Sequence, residues 1–171
     1  MGIIPQFGAD WMPPEKKYSL PKTKTPVGRQ RHTAMFELDD RLAADTAPIG
    51  DFNLCRVLLM NDVRYPWLIL VPAKPDLTEI GDLTRDDRIV LMDEMEKVSN
   101  AIRVLYNPIK VNVGALGNVV RQLHIHIVGR TECDPAWPGP VWGHSAAEAY
   151  APEAIAMRVR EVRGKLGFLS A

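Results

Sequence analysis

The sequence predicts an α+β fold: a mainly antiparallel sheet with a helix or two on one face. Three observations predict it. Short apolar runs of strand length follow one another, a single long stretch of helical periodicity separates them, and no regular alternation of strand and helix suggests a parallel sheet. The 171 residues are 46% hydrophobic and 25% charged, the size and make-up of one globular domain able to bury its own core.

Residues 1–34 hold Pro5, Pro13, Pro14, Pro21 and Pro26 among scattered Lys, Thr and Gly, with a period of neither 2 nor 3.6. They read as a disordered, basic, Pro-rich extension. Six basic residues there against Asp10 and Glu15 make the extension about +4 and the remainder about −4. A mildly acidic body lacks the clustered Lys and Arg that a duplex-binding surface needs, so nucleic acid is not the expected partner. The N-terminus has no continuous apolar core of a signal peptide, and no apolar run approaches the roughly 18 residues of a membrane span. Cys55 and Cys133 stand far apart and outside any CxxC pattern, which suits a reducing compartment. A cytoplasmic protein without a membrane partner is expected.

The domain is expected over 35–143, with a C-terminal helical segment over 144–171. Leu38 to Thr46 suits a short helix ended near Pro48 and Gly50. Cys55 to Met60 and Trp67 to Val71 are β-prone runs flanking Asn61-Asp62-Val63-Arg64-Tyr65-Pro66, and so predict an antiparallel hairpin. Thr84, with Asp87 three residues on, caps a helix over about 85–106 whose apolar positions Val90, Leu91, Met95, Val98, Ile102 and Leu105 recur at helical spacing until Pro108. Met92 and Met95 read as core filler on that helix. Lys110 to Val113 and Leu123 to Val128 predict two more strands. The run from Cys133 to Gly143 is too rich in proline for regular structure, and Pro152 to Lys165 suits a terminal amphipathic helix.

The chemistry concentrates in Gln122-Leu123-His124-Ile125-His126-Ile127-Val128. On a strand, Gln122, His124 and His126 share one face and Leu123, Ile125 and Ile127 the other. Two imidazoles about 7 Å apart along a strand suit metal ligation, proton-transfer or nucleophilic chemistry, or a plain polar surface. Metal ligation needs a third protein donor, and the other histidines, His32 and His144, read as solvated side chains. The preceding turn of Gly114, Gly117 and Asn118 favours phosphorus chemistry, because backbone amides free of a Cβ can approach an anion closely. A neutral imidazole whose far nitrogen donates to a carbonyl directs its near lone pair at a substrate. A second imidazole, protonated, can stabilise a non-bridging oxygen or protonate the leaving group.

The stretch from Asn112 to Arg130, with His124-Ile125-His126-Ile127-Val128 at its centre, resembles the signature of the histidine-triad family. It is closer still to a bacterial branch with Gln in the first triad position. The resemblance runs from about Phe36 to Gly143. It implies a five-stranded, mainly antiparallel sheet with one long helix and shorter helices, paired as a homodimer whose sheets join. It also implies hydrolysis or transfer of a nucleoside monophosphate from an ester, anhydride or phosphoramidate, with a small-molecule nucleotide as partner and no cofactor.

By position, His124 is then the nucleophile that forms a nucleotidyl-histidine, His126 contacts the phosphoryl oxygens, and Gln122 supports the triad network. Asn112, Gly114, Gly117 and Asn118 surround the phosphate, Asp62 holds ribose hydroxyls, and Trp137 and Trp142 belong to the segment that completes the pocket, with Trp142 in contact with substrate. Three positions depart from the pattern: Gln122 for histidine, Pro75 where many members have a further histidine, and Val119 where a hydroxyl often serves the leaving group. Loss of a general acid typically lowers rate by on the order of 10² to 10⁴, so a nucleotide-binding module with weak or no turnover is the alternative. Asp62 as a turn acid, the tryptophans as packed aromatics and Arg130 as an ordinary salt bridge are the plain structural readings of those residues.

Overall fold

The computed structural model describes residues 35–168. The predicted basic extension, with His32, lies outside them. The hairpin is present as β2 (Cys55–Met60) and β3 (Trp67–Pro72), paired antiparallel with Leu58 opposite Ile69. All six residues of β3 are buried, as expected of a strand covered on both faces. The sheet continues through β5 (Ile125–Arg130) to β4 (Lys110–Gly114), and β1 (Thr46–Asp51) closes the other side, giving the order β1-β2-β3-β5-β4 with every pair antiparallel.

The segment around Pro48 and Gly50 corrects the sequence reading. The short helix, α1 (Asp40–Asp45), ends sooner than expected, and β1 begins at once. Proline reads as a breaker because it lacks the N–H that a central strand needs, yet β1 is an outer strand where that donor is dispensable. The register slips between Pro48 and Gly50, and Ile49 is turned into the core, as at a β-bulge. Asp39 caps α1 through the Arg41 amide, and the Gln122 side chain pins the approach to it: Nε2 donates to the Glu37 carbonyl at 2.7 Å and Oε1 accepts from the Asp39 amide at 3.0 Å.

Helix α2 (Arg85–Tyr106) begins at Thr84, whose hydroxyl accepts from the Asp87 amide, and ends at Asn107 in the left-handed conformation just before Pro108. Leu91, Val98 and Ile102 are buried against the sheet and Met95 packs beside them. Met92 instead is 61% exposed, because the residue following a buried Leu91 is turned about 100° around a 3.6-residue helix. The buried Glu94 carboxylate accepts from the Leu54 and Cys55 amides, both at 2.9 Å, and so ties α2 to the start of β2. Helix α3 (Pro152–Leu166) lies against β1 and α2, with Pro152 in its first turn, where a missing N–H has no consequence. No helix among the described residues is long and apolar enough to cross a membrane.

Gly129 sets the spacing between α2 and the histidine strand. A Cβ there would lie 2.8 Å from Ile102 Cγ2 and 3.3 Å from Pro66 Cβ. Gly129→Ala is therefore expected to destabilise the fold by about 1–3 kcal/mol through overpacking, measured by urea unfolding. Unchanged stability would show that this contact relaxes freely.

Candidate functional site

Strand β5 sorts its residues as its alternation predicts. Leu123, Ile125 and Ile127 are buried in the core that includes α2, whereas His124 and His126 emerge on the opposite face. The regular strand starts at Ile125, two residues later than expected, and His124 sits just before it. The two rings lean together, with centroids 4.8 Å apart and planes at 82°, closer than the strand repeat alone requires.

Different partners hold the two rings. His124 Nδ1 lies 2.7 Å from the Gln122 carbonyl oxygen. A carbonyl only accepts, so Nδ1 carries a proton, and in the neutral ring Nε2 then keeps its lone pair. His126 Nδ1 lies 3.0 Å from Trp67 Nε1, and an indole N–H only donates, so this Nδ1 accepts. Burial first, and the neighbouring His124 second, push the His126 imidazole down to about 4. These dry surroundings, with a second imidazole beside the ring, favour the neutral form over the imidazolium considered from the sequence.

Both rings open onto a cavity of about 440 Å³. One wall comes from the α1–β1 region, with Leu42, Thr46 and the exposed pair Arg41 and Asp45 at 3.5 Å. The opposite wall is the loop bearing Gly117, Asn118, Val119 and Val120, and Trp142 closes a third side. Gly117 has φ 67°, a left-handed conformation that glycine adopts without strain. Val119 is 72% exposed and brings no hydroxyl to the cavity. A larger hollow of about 540 Å³ at the β1 edge is lined by Arg56 and Arg163 but by neither imidazole, so the smaller one is the candidate site.

Several predicted residues lie elsewhere. The Gln122 amide faces residues 37 and 39 and does not line the cavity; its main-chain carbonyl, not its side chain, touches His124. Gly114 pairs with His126 across the sheet, and a Cβ there would lie 3.1 Å from the Trp142 ring. It therefore makes room for an aromatic ring, and it does not line the cavity.

Asn112 Oδ1 accepts from Arg130, and Arg130 is buried and paired through two bonds with Asp134, at 2.8 and 3.0 Å. Arg130 is thus the ordinary ion pair of the sequence reading. Trp137 lies beside that guanidinium, 5.8 Å from its ring centroid. Asp62 is buried beneath a strap of residues 145–150. Arg64 bonds both its oxygens, the Ser145 hydroxyl and the Ala146 carbonyl, while the Glu148 carbonyl accepts from the Val63 amide. Burial raises the Asp62 carboxyl, but the Arg64 bonds outweigh it and hold the group below its ordinary value. Neither Asp62, Pro75 nor His144 lines the cavity.

Sequence reasoning missed Trp67, Arg41 and Asp45. The signal for Trp67 lay in register: Ile69 pairs with His126, so Trp67, two residues back on β3, shares the imidazole face. Arg41 and Asp45 carried no local signal, being ordinary charged residues of a short helix. Among the described residues, no three His, Cys, Asp or Glu side chains converge as a metal site requires.

Residues 41–133 match the family model described as the HIT domain. No curated protein matches the chain. A histidine triad protein from Sinorhizobium meliloti 1021 is 45% identical with a TM-score of 0.74, over 76% of this chain and 96% of its own. One from Marinobacter aquaeolei VT8 is 43% identical with a TM-score of 0.76, over 80% of this chain and 100% of its own. At 14% identity and a TM-score of 0.53, over 79% of this chain and 84% of its own, the diadenosine triphosphate hydrolase of Plasmodium falciparum shares the fold. The HIT-domain match and the relatives above 40% identity agree with the strand order and the paired imidazoles: the chain belongs to the histidine triad family.

Proposed function

We propose that the protein is a nucleotide hydrolase or nucleotidyl transferase acting on a nucleoside phosphate ester, anhydride or phosphoramidate through a nucleotidyl-His124 intermediate. The observation that carries this reading is the 2.7 Å contact of His124 Nδ1 with the Gln122 carbonyl, which leaves the Nε2 lone pair to the cavity. The HIT-domain match, and a fold shared with a diadenosine triphosphate hydrolase, support the reaction class.

In the first step, the Nε2 lone pair of His124 forms a bond to phosphorus. The bond to the leaving group breaks, and the leaving group departs with its electron pair and takes up a proton from solvent. The neutral His126 donates its Nε2–H to a non-bridging oxygen, whose charge grows in the transition state. In the second step water, or another acceptor hydroxyl, attacks phosphorus. The P–N bond breaks, the lone pair returns to His124, and the proton of the attacking group passes to solvent. Leu42, Ile69, Val120 and Trp142 offer apolar surface for a nucleoside, and Gly117 and Asn118, which line the same cavity, offer backbone amides for a phosphate. Asp62 would reach ribose only after releasing Arg64.

The same reading includes a homodimer joined at a sheet edge and a cytoplasmic location. The outer strand β4, with exposed Val113 and the neighbouring exposed Ile109, supports the first, and the free thiols Cys55 and Cys133 support the second.

Incubation with adenosine phosphoramidate or a dinucleoside polyphosphate should release AMP, and His124→Ala should lower kcat by at least about 10³, the scale on which removal of a nucleophile acts. Turnover by His124→Ala at the wild-type rate would exclude the mechanism, whereas AMP binding without product from any such substrate would favour the binding module. Sedimentation equilibrium at micromolar concentration should give twice the chain mass; a single-chain mass would remove the dimer.

A further inference from the structure

We propose that Trp67 is a positioning residue for this reaction: its indole N–H holds His126 as the neutral Nε2–H tautomer, a donor directed at a phosphoryl oxygen. The inference rests on the reading of His126 as the oxygen-stabilising group, but the tautomer can be observed without turnover.

Imidazole has two nitrogens of interchangeable role, and its partners decide which one carries the proton. A hydroxyl or a water in contact with Nδ1 could donate or accept and would follow the ring as it changed state. Indole cannot, because it has an N–H and no lone pair to offer. At 3.0 Å from His126 Nδ1, Trp67 therefore tolerates one arrangement: an unprotonated Nδ1, with the ring proton on Nε2. Any other state sets two N–H groups against each other in a buried place and leaves the indole N–H without an acceptor.

Trp67 is itself unable to turn away. It lies on β3, paired on both sides by β2 and β5, and is buried. Tyr65 and Trp142 meet its ring edge-on at centroid distances of 6.1 and 6.3 Å. His126 is enclosed in the same cluster, with Trp142 at 5.9 Å and His124 at 4.8 Å. Among the described residues, the charged groups lining the cavity it faces are Arg41 and Asp45, which pair with each other, and the only other titratable ring in contact with it is His124. No carboxylate among the described residues touches His126 to draw a second proton onto it.

The consequence is a division of labour between identical side chains. The Gln122 carbonyl makes His124 a lone-pair donor at Nε2, and Trp67 makes His126 a proton donor at Nε2. Two neutral imidazoles thereby present opposite polarity to one phosphoryl group.

The test uses the full chain labelled with ¹⁵N at histidine. Long-range ¹H–¹⁵N correlation should show His126 with Nδ1 unprotonated and Nε2 protonated, unchanged from pH 8 to pH 5. In Trp67→Phe, which keeps an aromatic ring but deletes the donor, His126 should populate both tautomers and titrate nearer the ordinary imidazole range. Trp142→Phe replaces a neighbouring indole by a smaller ring without touching the Nδ1 contact, and should leave the tautomer as in wild type. With a substrate that is turned over, Trp67→Phe should lower kcat by about 10-fold or more, as loss of an orienting partner commonly does, leave KM within about twofold, and add a pH dependence to kcat between pH 5 and 7. A protonated Nδ1 in the wild type, or an unaltered His126 spectrum in a folded Trp67→Phe, overturns the proposal, as does an undiminished kcat. If the spectra are as expected and no substrate is turned over, the nucleotidyl-transfer reading has failed and the tautomer lock stands.

Discussion

The alternation of β5 governs everything else in the molecule. Leu123, just before that strand, and Ile125 and Ile127 on it lie in the core beneath the sheet, and this burial commits His124 and His126 to the other side. A slip of one residue would exchange the two sets, putting imidazoles into the apolar core and isoleucines against the cavity, which is why register is strongly specified wherever one face is apolar. The strand is gripped from both edges by β3 and β4, and Gly129 lets α2 approach closely enough to seal the apolar face. The cavity is therefore a property of the sheet, with α1 and two loops supplying its walls.

Main-chain and aromatic partners, rather than charged ones, tune this site. The more buried acid–base pairs, Asp62 with Arg64 and Arg130 with Asp134, are spent on structure. The first fastens the strap of residues 145–150 over the loop after β2, and the second joins the end of β5 to the Pro-Trp segment. Such pairs lose much of their charge interaction to desolvation but resist being broken singly. The imidazoles are left to a carbonyl, an indole and each other.

What was legible in the sequence followed from period and from local chemistry. Helix α2 was marked by Thr84, by apolar spacing and by Pro108; the β2–β3 hairpin by its turn residues; the faces of β5 by strict alternation. What was not legible depended on partners distant in the chain. Strand β1 hid behind Pro48 and Gly50, whose breaker character lapses on an outer strand. Gln122 shares the histidines' alternation, yet its amide is claimed by residues more than 80 positions earlier. Gly114 resembled an anion cradle until Trp142 occupied the space its missing Cβ leaves. Trp67 looked like one more buried strand aromatic, and its role emerged only from pairing with a strand 59 residues away.

The central claim is that His124 Nε2 becomes covalently bonded to phosphorus, and an alkaline quench during single turnover tests it most directly. Tryptic digestion then isolates residues 122–130, and fragmentation locates any added mass. The account predicts a nucleoside monophosphate on His124 that disappears as product forms. Product accumulating while that peptide stays unmodified at every time point would contradict it.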